Sequence, residues 1–206
     1  MAQAPPVEHE EHAEHGAHAT ATGLDNRKLA MWGFLGSECL LFGALISAYL
    51  LYRGRGEGLK PIDVYDIPYT SVSSFVLLMS SLTMVLALSA LQHRQERQAR
   101  VWLTATALLG MTFIGGQVYE FTLFVHEGLT LTANPASSAF FLLTGFHGTH
   151  VTLGIIMLLS LVGMSLSGKL GPDSSLVVEL VGLYWHFVDI VWVVIFTVVY
   201  LMPAPD

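Results

Sequence analysis

Two ionisable residues lie in the middle of a long apolar stretch near the C-terminus. His186 and Asp189 belong to the segment YWHFVDIVW, residues 184–192, inside an apolar run from Leu176 to Met202. That run can cross a bilayer, since about 20 apolar residues suffice. The two residues are three apart, so they share one face of a helix. A charge at that depth costs roughly 2.5–3.5 kcal/mol on insertion scales, so neighbouring helices must supply partners.

Three other apolar stretches carry groups of the same kind. Glu38 lies in the first, Glu120 in the third, and His147 and His150 lie in the fourth. Carboxylates and imidazoles can exchange protons, hold metals or neutralise one another. The function therefore depends on how the helices bring these groups together.

The composition identifies the elements that must position them. The chain has 206 residues, of which 53% are hydrophobic and 12% are charged, whereas a soluble domain has about twice that charged fraction. Five apolar stretches are long enough to span a membrane, at residues 29–52, 69–91, 101–124, 136–166 and 177–202. Because lipid does not tolerate open sheet edges, the sequence predicts an all-α bundle of five transmembrane helices, one domain at residues 29–206. We expect the single cysteine, Cys39, to be a small buried residue of the first helix.

The first 28 residues have a different composition. They are rich in Glu, His, Ala and Thr and cannot bury a core, so we expect a disordered tail over residues 1–28. The tail lacks the apolar segment of a cleavable signal peptide. Its histidines recur every third residue and would suit a metal if the tail became helical, although composition favours a solvated tail with incidental metal affinity. They are His9, His12, His15 and His18.

Lysine and arginine predict the orientation. The tail and the even-numbered connections hold six of these residues, and the opposite side holds three. Because cytoplasmic loops are enriched in Lys and Arg, we expect the N-terminus in the cytoplasm and the C-terminus outside. The six are Arg27, Lys28, Arg94, Arg97, Arg100 and Lys169, and the three are Arg53, Arg55 and Lys60. No basic patch with interleaved aromatic residues occurs, so nucleic acid is not an expected partner.

With this orientation, the helix rise of about 1.5 Å per residue sorts the polar groups into two layers. Glu38, His186 and Asp189 lie about nine to twelve residues from the cytoplasmic ends of their spans. The second layer, Glu120, His147 and His150, lies about sixteen to nineteen residues in. Each layer would pair a carboxylate with an imidazole, as burial requires.

Three uses of such layers are open. A di-iron or haem site would suit histidines and carboxylates on bundle helices, but the paired Glu-x-x-His motifs of a di-iron site are absent from the sequence. A proton relay or transporter uses buried acids and histidines, but no inverted repeat is evident. The composition favours the third use, in which hydrogen-bonded pairs hold the helices together.

Four motifs resemble one known family. WHFVDIVW (185–192) and GFHGTHV (145–151) resemble the last two helices of subunit III of the haem–copper respiratory oxidases. Ser37-Glu38 followed by Leu41-Phe42, and QVYEF (117–121), resemble two further helices of that subunit. The motifs occur in the family's order, over residues 29–202. Five spans match its shorter bacterial type, which lacks the first two of seven helices.

The resemblance implies a non-catalytic subunit of a proton-pumping terminal oxidase. Haem and copper would lie in partner subunits, and the chain would pack directly on subunit I, beside subunit II, and bind phospholipid. It would support proton uptake and stability in a bacterial inner membrane. We expect cytochrome c as the electron source of the complex; a quinol oxidase is the alternative, and a small transporter or membrane cytochrome is more distant. The implied internal polar network is Glu38, Glu120, His147, His150, His186 and Asp189, and the implied packing residues are Ser37, Trp185, Phe187 and Trp192.

Overall fold

The computed structural model describes residues 25–55, 66–171 and 174–202. Over these ranges the chain forms five long helices, each long and apolar enough to cross a membrane. They are α1 (Asn26–Tyr52), α2 (Ile67–Gln92), α3 (Glu96–His126), α4 (Pro135–Leu166) and α5 (Ser175–Phe196), which a π-helical turn at Thr197–Leu201 extends. The predicted all-α membrane bundle is confirmed. The predicted tail lies outside the described residues up to position 24, with its four histidines.

Side-chain caps determine where three helices begin. The carboxylate of Asp25 accepts a hydrogen bond from the backbone N–H of Arg27 at 2.8 Å, so α1 begins three residues earlier than hydropathy predicts. Asp66 caps α2 in the same way, and Asn134 caps α4, each followed by a proline within the first turn. These caps satisfy backbone N–H groups that have no partner within the helix. Helix α3 also begins early, at Glu96, because a helix can continue through charged residues that hydropathy does not count.

Four of the helices form a square in cross-section. Helix α2 packs along α3 and α5, and α4 packs along α3 and α5, while α1 lies outside the square against α4 and α5. Trp185 of α5 occupies the centre and is fully buried. A Cβ added to Gly154 of α4 would lie 2.7 Å from its ring, and one added to Gly110 of α3 would lie 2.6 Å away. These two glycines therefore allow α3 and α4 to approach the indole closely.

The peripheral position of α1 corrects the prediction for Cys39. Cys39 is exposed rather than buried. Ser37 is also exposed, and its hydroxyl donates to the carbonyl of Phe34 on its own helix at 2.7 Å. The reason is that α1 has neighbours on one side only. Glu38 faces them, and successive residues on a helix point about 100° apart.

Candidate functional site: polar pairs between the helices

Glu38 and His150 join α1 to α4. The Nε2 atom of His150 lies 3.1 Å from a carboxylate oxygen of Glu38, and the two side chains are 12% and 15% exposed, respectively. The Nδ1 atom of His150 lies 2.8 Å from the carbonyl oxygen of Phe146, which can only accept, so Nδ1 carries hydrogen. The contact between Nε2 and Glu38 then also needs a proton, held by either partner. The pair is a short, largely shielded ion pair or its neutral equivalent, a carboxylic acid donating to an imidazole.

This contact shows that the predicted layers are wrong. Glu38 pairs with His150 rather than with His186 or Asp189. Helix α1 spans residues 26–52 and α4 spans residues 135–166, so Glu38 and His150 each lie within one residue of the midpoint of their helix. Helix α4 has 32 residues, more than a bilayer requires. Counting depth from its C-terminal end therefore placed His150 too far from the cytoplasmic side.

His147 lies one turn from His150 but in a different environment. It is fully buried, and its Nε2 donates to the carbonyl oxygen of Val188 at 3.2 Å. Its ring packs on Trp192, with centroids 4.8 Å apart, and against the edge of Phe113. The Nδ1 atom has no hydrogen-bond partner among the residues that the structure describes. The arrangement suits a neutral imidazole that links α4 to the backbone of α5.

Glu120 joins three elements near the opposite end of the bundle. Thr70 of α2 donates its hydroxyl to the Glu120 carboxylate at 2.7 Å, and the phenol of Tyr200 donates at 3.4 Å. Glu120 is 6% exposed. Its predicted imidazole partners, His147 and His150, bind elsewhere, so this part of the layer prediction is also wrong.

His186 and Asp189 face α2. The Nδ1 atom of His186 lies 2.6 Å from the hydroxyl oxygen of Ser81. Asp189 is 3% exposed, and within the described residues neither of its carboxylate oxygens makes a hydrogen bond. Ser81 interacts with this carboxylate as well, although not with hydrogen-bond geometry. The two residues thus share a face as predicted, but the group between them is a hydroxyl rather than a carboxylate of α1.

The predicted packing residues divide between the core and the periphery. Trp185 and Trp192 are buried, and their indole N–H groups donate to Ser80 at 2.9 Å and to Ser74 at 2.8 Å. Phe187 is partly buried against Phe42 of α1. Ser37, as described above, faces outward.

Sequence reasoning did not identify the hydroxyl partners. Thr70, Ser74 and Ser81 recur along α2 at intervals of four and seven residues, which places them on one face. That spacing was a usable signal, because a polar stripe on an apolar helix requires partners. Tyr200 gave no such signal, since its position depends on the π-helical turn.

The described residues contain no group of three His, Cys, Asp or Glu side chains arranged as metal ligands. Each imidazole discussed above binds a protein group through at least one nitrogen. The arrangement can therefore hold helices together and hold protons between them.

The family model and the relatives that match this chain all carry the name of one oxidase subunit. The family model described as cytochrome c oxidase subunit III matches residues 7–203. The quinol oxidase subunit 3 of Bacillus subtilis is 37% identical over 199 residues, 93% of this chain and 97% of the relative. The cytochrome c oxidase subunit 3 of Bacillus sp. PS3 is 38% identical over 178 residues, 86% of each chain. A probable quinol oxidase subunit 3 of Staphylococcus saprophyticus is 38% identical over 177 residues, 85% of this chain and 88% of the relative.

A match over nearly the whole chain, together with five membrane-spanning helices, shows the family. The chain belongs to the cytochrome c oxidase subunit III family and is a subunit III of a haem–copper terminal oxidase.

Proposed function

We propose that this chain is an accessory subunit that binds no haem or copper and stabilises a proton-pumping oxidase. The observation that carries the proposal is that the buried histidines bind separate protein groups. His147, His150 and His186 lie in three separate contacts with the backbone, a carboxylate and a hydroxyl, rather than facing one another. A haem or a copper ion needs ligands that converge on one point. Separate pairs suit a scaffold, in which each contact fixes one helix against the next.

The redox groups then lie in partner subunits. We propose direct packing on subunit I, with subunit II in the same complex. The outward faces of the helices support a large contact with protein or lipid, because they carry many large apolar side chains, among them Leu40, Val72 and Val118. Such faces must be covered by a bilayer or by other subunits.

Phospholipid is the further ligand that we propose. A groove of about 320 Å³ lies between α3 and α4, lined mainly by apolar atoms and open on one side. Phe121, Leu153, Gly145 and Gly148 are among the residues that line it. A groove of this kind accepts an acyl chain. We expect a lipid bound in this groove to remain with the complex when it is purified.

Cytochrome c is the electron source that we propose for the whole complex, with quinol as the second candidate. Relatives of nearly equal identity carry the names of both kinds of oxidase. In this proposal the donor binds another subunit of the complex. The proposed membrane is the bacterial inner membrane, with the N-terminus in the cytoplasm, supported by six Lys or Arg residues on that side against three on the other.

Purification of the tagged chain from its native membrane in a mild detergent tests the proposal. We expect a larger haem protein to co-purify, and the purified complex to oxidise reduced cytochrome c faster than a quinol. The chain expressed alone should show no haem absorption. A Soret band from the isolated chain, or a chain that purifies without a haem protein, would contradict the accessory role. Faster turnover with quinol would establish the second candidate.

The orientation has its own test. Replacing Cys39 by serine gives a chain without cysteine, into which His93→Cys or Glu127→Cys is introduced at an exposed connection. A membrane-impermeant maleimide added to intact cells should label Glu127→Cys and spare His93→Cys. The reverse pattern would invert the proposed topology.

A further inference from the structure

Asp189 is a buried acid that takes part in none of the polar pairs described above. Asp189 is 3% exposed, and neither oxygen of its carboxyl group makes a hydrogen bond within the described residues. An ionised carboxylate in hydrocarbon needs a partner, and without one the neutral, protonated acid is the more stable form. A group of this kind can take up a proton and release it when its surroundings change.

The ionisable groups on the surrounding helices are already engaged. Glu38 of α1 binds His150, and His147 of α4 binds a backbone carbonyl. Tyr184, on the same helix as Asp189, donates its phenol to the carbonyl of His150 at 3.0 Å. Glu120 of α3 accepts from Thr70 of α2. None of these contacts supplies a counter-charge to Asp189.

A polar route leads from Asp189 to one face of the membrane. Ser81 lies against the Asp189 carboxylate, and its hydroxyl oxygen is 2.6 Å from Nδ1 of His186. His186 lines a cavity of about 100 Å³ together with Gly182 and Glu179. Apart from His186 and Glu179 its lining is mainly apolar. The volume has room for a few water molecules, since each occupies about 30 Å³ in the liquid, and these two side chains are the polar groups that would hold them. Glu179 is bound to Lys28 at 2.7 Å, where both side chains are about one-third exposed.

The route does not continue to the other face. The next hydroxyl of α2, Ser80, accepts from the Trp185 indole and donates to the carbonyl of Leu77. Six residues further along the helix, Ser74 accepts from Trp192 and donates to the carbonyl of Thr70. Both hydroxyl hydrogens are held by carbonyl groups, so neither can pass a proton onward without breaking its bond. The two tryptophans also fill the space between α2 and α5.

We propose that Asp189 is a proton-binding site that exchanges through Ser81 and His186 with the membrane face at Glu179 alone. A proton from cavity water binds Nε2 of His186, and the proton on Nδ1 passes to Ser81 Oγ. A small movement that brings the Ser81 hydroxyl into hydrogen-bond geometry with the Asp189 carboxylate then lets the hydroxyl proton of Ser81 pass to Asp189. Water loses one proton, Asp189 gains one O–H bond, and His186 and Ser81 each gain and lose one proton. The inference gives a place in this chain to the support of proton uptake that the family resemblance implies, and it rests on the proposed function as an accessory subunit of a proton-pumping oxidase.

Infrared spectroscopy of the purified oxidase complex tests the site. We expect a band of a protonated carboxylic acid that moves on transfer into D₂O and is absent from Asp189→Asn. A wild-type spectrum identical to that of Asp189→Asn in this region would overturn the proposal. If Asp189→Asn does not assemble, Asp189→Glu keeps a carboxyl group and should shift the same band. An unshifted band in that variant would belong to another residue and would equally overturn it.

The exchange rate tests the route. After transfer into D₂O, we expect the carboxylic acid band to shift at least about tenfold more slowly in Ser81→Ala than in the wild type. This corresponds to an increase of about 1.4 kcal/mol in the barrier to exchange. Ser71→Ala is the matched control, because Ser71 is exposed on the same helix and its hydroxyl donates to its own backbone; its rate should equal that of the wild type. Equal rates in Ser81→Ala and Ser71→Ala would exclude the route. Failure of the chain to co-purify with a haem protein is a separate result, and it bears on the proposed function rather than on the carboxyl band.

Discussion

The carboxylate of Glu38 and the Nε2 atom of His150 lie 3.1 Å apart, and through this contact the peripheral helix α1 is bound to the four-helix square. Lys28 binds Glu179 near the membrane face, where exposure weakens an ion pair. The Glu38–His150 pair is better shielded, so it contributes more to holding α1 in place.

Glu38→Gln should therefore be tolerated, whereas Glu38→Ala should not. The glutamine amide can donate to Nε2 of a neutral His150, so the hydrogen bond survives without charge. Alanine leaves Nε2 without a partner, at a cost of about 0.6–1.7 kcal/mol for an interhelical hydrogen bond in a membrane. Thermal melting of the complex in detergent measures the difference, and oxygen reduction by Glu38→Gln should initially remain near wild type. Equal melting temperatures for Glu38→Ala and the wild type would show that the pair does not hold α1.

Close packing on Trp185 makes a second prediction. In Gly154→Ala the new Cβ would lie 2.7 Å from the indole ring, so the ring or α4 must move. Overpacking of this kind costs about 1–3 kcal/mol. Gly163→Ala is the control on the same helix, because a Cβ there meets no atom within 4 Å. Only Gly154→Ala should lower the unfolding midpoint of the complex. A fall in both variants would point to the helix backbone rather than to the indole.

The number of helices and their approximate ends could be predicted from the sequence, because bilayer thickness fixes the length of an apolar span. The exceptions have local causes. Asp25 caps α1, so this helix begins earlier in the chain than its apolar stretch does. Helix α3 begins in a charged segment, which a hydropathy profile does not include in the span. Hydropathy identifies the part of a helix that lies in lipid. The capping residues determine where the hydrogen-bonded helix begins and ends.

The polar pairs could be predicted as a set but not as partners. Depth along a span is one coordinate, while pairing depends also on which helices are neighbours and on which faces meet. Glu38 contacts His150 because α1 packs on α4. The spacing of residues within either helix does not indicate which helices pack together. The same applies to Glu120, whose partner Thr70 is fixed by the contact between α2 and α3.

Removal of the Thr70 hydroxyl should destabilise the bundle near Glu120. Thr70→Val keeps the shape of the side chain but takes away the 2.7 Å donor, and leaves the carboxylate with the longer contact from Tyr200. An unsatisfied buried group costs about 1–3 kcal/mol. The matched control is Thr122→Val on α3, where the hydroxyl is exposed and donates to its own helix.

A double-mutant cycle makes this test specific. In Glu120→Leu the carboxylate is absent, so adding Thr70→Val should have little further effect on the melting temperature. If Thr70→Val lowered stability equally in the presence and absence of Glu120, the threonine would contribute through packing alone.

The contact between Trp192 and Ser74 should couple α5 to α2 in the same measurable way. Trp192→Phe removes the indole donor at 2.8 Å from Ser74 and reduces the ring area that packs on His147. We expect a loss of about 1–3 kcal/mol in the unfolding free energy of the complex, since a buried ring is made smaller and a hydroxyl loses its donor. Trp32→Phe is the control, because Trp32 is 61% exposed. In a cycle with Ser74→Ala, the coupling free energy should be about 0.6–1.7 kcal/mol. A coupling of zero would mean that the indole acts by filling space, and then the Ser74 hydroxyl would need no partner from α5 to remain stable in the core.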